Sequence, residues 1–352
     1  MKILMISYIP LEKEGRFQRC YDYMHNNYDI FVVDTGEEFL NDKARISIGL
    51  KGKGLRKYFD FYCKALKIVK DIDFDVIYAH NYYCAQLAVK LSKKYNKPII
   101  YDAYELYYPE AKKSFSMRDR FFYFQEKKAV KKSSAVIAAS YERALIMLGH
   151  YNIKNIPCVI ENMPYSFENV QLPKKEKNNE KIKIVYAGFL SNGRSIMELV
   201  EAINNSDCSD KIELDVYGAG PLEEELSEVK YEFFKFCGRY NNAELKNILS
   251  KYDIGFISYM NYDLNNIFCC PNKVYDYVCS GLVLLAPYNE GLNRIISTHG
   301  IGVCNNDLTY AIKECTENYL HYRSNIESFI ENHKESDNPM VIRKIINQLE
   351  NE

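Results

Sequence analysis

The chain has 352 residues, with 46 lysines and arginines against 47 aspartates and glutamates, a formal charge of −1. That length holds two domains with full cores, and the near-zero charge excludes a surface built as a whole to neutralise nucleic acid. The charge is unevenly spread: residues 1–165 carry 27 basic and 19 acidic residues, a balance of +8, and the remainder 19 and 28, a balance of −9. A basic first half suits an anionic partner such as a lipid surface. Eleven cysteines fall in no CxxC pairs, and Met1-Lys2-Ile3-Leu4 does not open a leader, so they read as reduced thiols of a cytoplasmic protein. No apolar run approaches the roughly 18–20 residues of a membrane span.

In chain order, an apolar strand over 2–9, a loop over 10–16 with Gly15 and Arg16, a helix over 17–28 and a strand over 30–33 open a doubly wound domain. Residues 43–70 set nine basic residues among apolar ones at helical spacing. They form either a membrane-surface helix or a helix with one core face and one solvated basic face. A strand over 74–80 reaches His80-Asn81, a helix runs to Tyr95, and Ile99-Ile100-Tyr101 is a strand ending at Asp102-Ala103-Tyr104-Glu105. The Asp-x-Asp pairs at 71–75 precede their strand, where a metal motif would follow one, so no metal is expected. Residues 111–132 mix Lys112, Lys113, Arg118, Arg120 and four further lysines with Phe115, Met117, Phe121, Phe122 and Phe124. As a helix this stretch either lies on an anionic bilayer or turns its phenylalanines inward. A strand over 135–140 and another over 159–162 complete the first half.

Residues 168–181 are the best linker. A second strand-loop-helix series then begins at 183–188, and its first loop, Gly188 to Arg194, has the composition of a phosphate cradle. Later come a strand over 212–217 exiting at Gly218-Ala219-Gly220-Pro221, a short strand and turn at 236–239 ending in Arg239, a helix over 245–252, and a strand over 254–258 followed by a loop over 259–270. Pro271-Asn272-Lys273-Val274-Tyr275-Asp276-Tyr277 then starts a helix, with Gly281 as a left-handed stop and Leu282 to Ala286 as a buried strand. Lys273 and Asp276 share one face near the N-terminus of that helix. They form either a surface ion pair or a cation and a carboxylate placed for a diphosphate and a ribose. Glu290-Gly291-Leu292 caps another helix, 300–303 is an edge strand, and the tail from Leu308 is helical except at 337–339.

The run Pro-Asn-Lys-x-x-Asp-Tyr-x-x-x-Gly before a hydrophobic strand resembles the donor segment of family-four-like glycosyltransferases (glycosyl transferases group 1) of the GT-B fold. The resemblance covers nearly the whole chain and is strongest over 182–304. It implies an α/β protein of two Rossmann-like doubly wound domains facing a central cleft: an acceptor-side domain over 1–165, a nucleotide-sugar domain over 182–308, and terminal helices over 309–352 that cross back to the first domain. The implied activity is retaining transfer from a nucleotide-diphosphate-sugar to a carbohydrate, lipid-linked or protein acceptor in cell-surface polysaccharide or glycoconjugate synthesis. No cofactor and no metal are implied, and the protein is expected in the cytoplasm or peripherally at the inner face of the membrane. Arg194 and Lys273 match the residues on the diphosphate, and Asp276 matches the ribose acid in place of the usual Glu. Gly15, Gly188, Gly218, Arg239 and Asn272 match the donor-site surroundings. Two sugar-facing positions also depart from the pattern: Tyr104 replaces a histidine near the donor sugar, and Phe268 stands where a glutamate is frequent. These departures leave open a rival in which the chain is a catalytically silent subunit that stabilises a partner transferase.

Overall fold

The computed structural model describes residues 1–36, 44–111, 114–173 and 181–351. The chain divides into two compact units, Met1–Tyr165 with Asp337–Glu352, and Ser166–Ser336. Residues 174–180 of the linker read at 168–181, together with Lys43, Lys112 and Lys113, lie outside the described residues.

The first unit contains β1 (Lys2–Ile6), α1 (Gly15–His25), β2 (Asp29–Gly36), β3 (Arg45–Gly49), α2 (Leu55–Ile68), β4 (Val76–His80), α3 (Tyr82–Tyr95), β5 (Ile99–Ala103), α4 (Met117–Lys132), β6 (Ala135–Ala138), α5 (Tyr141–Tyr151) and β7 (Cys158–Val159). Its seven strands are parallel in the order β3-β2-β1-β4-β5-β6-β7. Order therefore reverses between β1 and β4, the switch point at which open α/β sheets bind ligands. The central strands are buried along their whole length, as parallel strands covered on both faces must be.

The second unit contains β8 (Ile182–Phe189), α6 (Ile196–Asn204), β9 (Ile212–Ala219), α7 (Glu223–Glu228), β10 (Phe234–Gly238), α8 (Leu245–Leu249), β11 (Ile254–Phe256), α9 (Leu264–Ile267), α10 (Asn272–Cys279), β12 (Val283–Ala286), α11 (Glu290–His299), β13 (Gly302–Cys304), α12 (Leu308–Glu317) and α13 (Tyr319–Asn332). Its parallel sheet runs β10-β9-β8-β11-β12-β13, the same winding, with the switch between β8 and β11. The expected parallel α/β sheets are present in both halves.

The last helix, α14 (Asn338–Glu350), belongs to the first unit, whereas α12 and α13 belong to the second. Ile342, Ile345 and Ile346 of α14 join the core formed by Ile3, Met5, Phe17, Met24 and Val76. Asn338 fixes the entry, donating to the carbonyls of Glu161 and Met163 and accepting from the Glu161 N–H.

Several local expectations are corrected. Gly15 does not sit in a loop but opens α1, behind Glu14, whose carboxylate caps the Arg16 N–H. The basic stretch over 43–70 contains a strand, β3, as well as a helix. Its two apolar side chains, Ile46 and Ile48, are too few to reveal a strand by periodicity. Loop 259–270 carries a helical turn, α9, and Asn338-Pro339 begin a helix instead of interrupting one. Helix α4 divides its apolar residues: Phe122 is buried, while Phe124 and Met117 are 56% and 78% exposed. Glu126 is buried and accepts from the Tyr101 and Tyr151 hydroxyls.

One ionic network ties the carboxyl ends of β4 and β5 to α1. Arg16, buried, donates to both oxygens of Asp102, to the Ile160 carbonyl and to Asn162 Oδ1. Asp102 also accepts from the Tyr78 hydroxyl at 2.8 Å and lies 3.2 Å from His80 Nδ1. Burial alone would raise the Asp102 carboxyl, but the charges and hydrogen bonds of Arg16 and His80 outweigh it and hold it well below the usual carboxylate range. Because the folded-state value is depressed, Asp102 adds stability above its unfolded value of about 3.9, and that stability is lost as pH falls below it. Arg16→Leu leaves this carboxylate buried without its countercharge and is expected to cost about 3–5 kcal/mol. Urea unfolding at pH 7 measures it, and a loss under about 1 kcal/mol would show that Asp102 does not depend on Arg16.

Candidate functional site

The candidate site is built on α10. Pro271 is its N-cap, with φ −77° and ψ 141°, so Asn272 is the first helical residue and Lys273 the second. At the other end Gly281 adopts φ +75°, its N–H bonding the Val278 carbonyl while the Leu282 N–H bonds the Tyr277 carbonyl. This is a Schellman stop, which needs glycine because that backbone conformation is strained for other residues.

Tyr277 sets the position of the helix. Its hydroxyl accepts from the Ala187 N–H of β8 at 3.1 Å, and its ring lies where a Cβ on Gly255 of β11 would collide with it. Lys273, four residues earlier, shares that helix face. Its ammonium is therefore carried to the end of β8, 4.3 Å above the Tyr186 ring. A Cβ on Gly188 would occupy the place of the Lys273 ammonium, so glycine is needed here for room. Gly218 serves the neighbouring strand end in the same way, since a Cβ there would strike the Gly188 carbonyl.

Desolvation of its ammonium, followed by repulsion from Arg194, pushes the Lys273 pKa down to about 7 against the opposing pull of Asp276. Arg194 ends a short turn over Asn192–Arg194, donates to the Ser258 carbonyl at 2.9 Å, and lies 4.0 Å above the Tyr259 ring. Two cationic side chains thus meet at the carboxyl edge of β8 and β11, at the N-terminus of a helix, with Asp276 one turn further along α10. An oxyanion is the ligand this charge arrangement favours.

The loop before α10 is clamped by Asn289, which is fully buried. Its Nδ2 donates to the carbonyls of Tyr259 and Asn266 and to Asn261 Oδ1, while its Oδ1 accepts from the Leu292 N–H and caps α11. The cap of this helix is therefore Asn289, and the expected Glu290 is its first helical residue. An asparagine before a helical run is a legible cap signal. Its hold on a loop some 20–30 residues earlier has no local signature.

Of the residues singled out in the sequence, Gly188, Arg194, Gly218, Lys273 and Asp276 lie at these strand and helix ends, and Asn272 begins the helix. Arg239 is an exposed side chain paired with Glu223 at 3.5 Å. Phe268 follows α9 and is half-buried. Gly15 and Tyr104 belong to the first unit. Tyr104 follows β5, with its ring centroid 5.9 Å from that of His80, and its carbonyl accepts from Arg143. Tyr186, Tyr259 and Asn289 are not singled out by the sequence, and Tyr277 appears there only as part of the motif; its i,i+4 spacing from Lys273 was the available signal for its role.

Residues 24–162 match the sequence model of Glycosyltransferase Family 4. No curated protein matches the chain in sequence. Among solved structures, HepE of Anabaena in complex with UDP is 13% identical, with all of both chains covered and a TM-score of 0.74. Sucrose-phosphate synthase of Thermosynechococcus elongatus is 13% identical over 99% of both chains, TM-score 0.75. WaaG, a glycosyltransferase involved in lipopolysaccharide biosynthesis, is 14% identical over 98% of this chain and 99% of its own, TM-score 0.71. The whole chain therefore has the GT-B fold, and the resemblance read at Pro271–Gly281 is borne out at that level.

The Asn289 clamp can be tested by two variants. Asn289→Asp keeps the cap oxygen but turns an acceptor toward three acceptors, and Asn289→Ala removes both functions. Each is expected to lose about 2–3 kcal/mol in urea unfolding, since buried carbonyl groups lose their donor. Wild-type stability in the Asp variant would show that the cap alone matters.

Proposed function

We propose, from the match of residues 24–162 to Glycosyltransferase Family 4 and the GT-B fold of the whole chain, that this protein is a glycosyltransferase. It moves a sugar from a nucleotide-diphosphate-sugar to an acceptor, with retention of configuration, in the synthesis of cell-surface polysaccharide or glycoconjugate. The observation that carries this reading is the Lys273 ammonium, held 4.3 Å above the Tyr186 ring beside Arg194 at the switch point of the second sheet. HepE is described with UDP and with UDP-glucose, so a uridine diphosphate sugar is the first donor to test.

As the bond to the sugar breaks, negative charge grows on the leaving diphosphate. Fixed cations in a water-poor site stabilise that charge without reorganising, which is the largest lever available to such a reaction. Lys273 and Arg194 supply the cations, and the first N–H groups of α10 add to them. Asp276 is placed to accept from ribose hydroxyls, with one methylene less reach than glutamate. Arg239 and Asn272 border the nucleotide. Metal independence is supported by the Asp-x-Asp carboxylates, which serve the fold: Asp73 pairs with Lys2 Nζ, and Asp75 accepts from the Lys2 N–H and pairs with Lys97. No helix among the described residues is long and apolar enough to cross a membrane. We place the protein in the cytoplasm, held at the inner face of an anionic membrane through the basic start of α4.

Lys273→Ala and Arg194→Ala should each weaken UDP binding about ten- to a hundred-fold, the worth of a charge-assisted hydrogen bond. Diphosphate binding should also raise the Lys273 pKa from about 7 toward its ordinary value, so that binding at pH 8 takes up a proton. Calorimetry in buffers of different ionisation enthalpy reads this uptake, and Lys273→Ala should abolish it. Unchanged affinity in both variants would place the donor elsewhere. Tight UDP binding without turnover on any donor would favour the silent-subunit reading, to which Phe268 and Tyr104 point.

Turnover is expected to survive EDTA. Activity lost to chelator and restored by Mn²⁺ or Mg²⁺ would refute metal independence.

A further inference from the structure

We infer that Tyr186 and Tyr259 are positioning residues of the second unit's anion site, their ring faces standing where counterions would and holding Lys273 and Arg194 side by side for a diphosphate. The inference rests on the donor-site reading and adds to it how two like charges are kept together before a ligand arrives.

Sequestered cations elsewhere in the chain are matched by carboxylates: Arg16 meets Asp102 at 2.8 Å and Arg45 meets Asp34 at 2.7 Å. Lys273 and Arg194 are treated differently. Among the described residues neither forms an ion pair with a carboxylate, and Asp276, one turn further along α10, is the acid that draws on Lys273. Each cation instead lies on a tyrosine ring. The Lys273 Nζ is 4.3 Å from the centroid of Tyr186, and the Arg194 guanidinium is 4.0 Å from that of Tyr259. A ring face attracts a cation through its quadrupole yet carries no net charge. A carboxylate in either place would repel an incoming phosphate and have to be displaced by it, whereas a ring need not move.

Both rings are held. Tyr186 is fully buried in β8, and its hydroxyl donates to the Phe189 carbonyl at 2.7 Å. Burial raises the pKa of this phenol well above its ordinary value, so the ring stays uncharged. A Cβ on Gly188 would meet both the Tyr186 hydroxyl and the Lys273 Nζ, so ring, ammonium and strand end share one confined space. Tyr259 follows β11, and its carbonyl accepts from Asn289 Nδ2, which ties its backbone to the cap of α11. The two rings belong to one cluster, because Arg194 and Tyr259 both act on the Tyr186 phenol.

The ionisable groups that face Lys273 are Arg194 from the turn after β8, Asp276 from α10 itself and Tyr186 from β8, with Tyr240, after β10, facing Asp276. Desolvation and Arg194 favour the neutral amine, while Asp276 and the ring face favour the ammonium. Weakening the ring face therefore lowers the Lys273 pKa further from about 7. Arg194 does not titrate in this range, so the loss of its ring costs position alone.

Competitive acetylation of the ligand-free chain, read by mass spectrometry, titrates Lys273 by itself and needs no donor. Tyr186→Phe keeps the ring face, and trifluorophenylalanine at the same position keeps the shape while stripping the negative face, so the pair is compared at equal packing. The Lys273 midpoint is expected about 0.5–1 pH unit lower in the fluorinated chain than in Tyr186→Phe. By calorimetry the fluorinated chain should bind UDP about three- to ten-fold more weakly than Tyr186→Phe at pH 8, and within about two-fold of it at pH 5.5, where the amine is protonated in both. Tyr259→Leu should weaken UDP about three-fold or more, equally at both pH values, and Tyr259→Phe should not. Equal Lys273 midpoints in the two ring variants, or a UDP loss that does not grow with pH, would show that the Tyr186 ring only fills space and would overturn its role. Wild-type affinity in Tyr259→Leu would overturn that of Tyr259. If the wild-type chain binds no UDP, the donor reading fails, while the acetylation titration still judges the Tyr186 ring.

Discussion

An ammonium group placed against a tyrosine ring and under a glycine has lost most of its water, and the surrounding chain must compensate or the group gives up its proton. Lys273 is in that position, and the features of the second unit follow from holding it there. Tyr277 must reach Ala187 to bring α10 onto β8, and Gly255 must lack a side chain for Tyr277 to lie flat. Gly188 must be bare for the ammonium to fit, and Gly218 must be bare for the strand ends to approach. The Schellman stop at Gly281 then returns the chain at once into β12, which is buried throughout. A substitution at any of these points moves the ammonium.

The two sheets share one winding but treat buried charge in opposite ways. At the ends of β4 and β5, Arg16 and Asp102 meet at 2.8 Å, and the remaining donors of Arg16 go to Ile160 and Asn162. That charge is matched within the fold, and removing one partner would strand the other. At the ends of β8 and β11, Lys273 faces a second cation, Arg194, and only Asp276 opposes them in raising its pKa. A satisfied pair holds structure together. An excess of positive charge at a helix N-terminus favours a negative ligand.

What could be read from the sequence was local and periodic. The buried run Leu282–Ala286, the stop at Gly281, the i,i+3 placement of Lys273 and Asp276 and the restart of alternation at Ile182 all lie within a few residues of their signals, and the parallel sheets followed from them. β3 was hidden because its two isoleucines sit among charges that read as part of the following helix. Gly15 reads as a loop residue from its place after the first strand, but Glu14 caps the turn it begins. The partners of Asp102 lie 86 residues away at Arg16 and 24 away at Tyr78, and the reach of Asn289 to Tyr259 spans 30. Such contacts are products of the tertiary fold, and no spacing rule within one element encodes them.

The two departures from the family pattern differ in physical weight. Phe268 removes a carboxylate from a loop whose backbone is nonetheless fixed, because Asn289 holds it before α9, at Tyr259, and within α9, at Asn266. Its shape is retained while one polar group is lost. Tyr104 replaces an imidazole, yet the imidazole of His80 lies within the same cluster, its ring 5.9 Å from that of Tyr104 and 5.0 Å from that of Phe17. With Asp102 ionised, Nδ1 of His80 must carry the proton of their 3.2 Å contact, and Nε2 is buried with no hydrogen-bond partner. The neighbouring Asn81 adopts φ +67° with ψ 165°, a conformation strained for any residue but glycine, while capping α3. The edge of the first sheet therefore keeps an oriented imidazole even though position 104 has none.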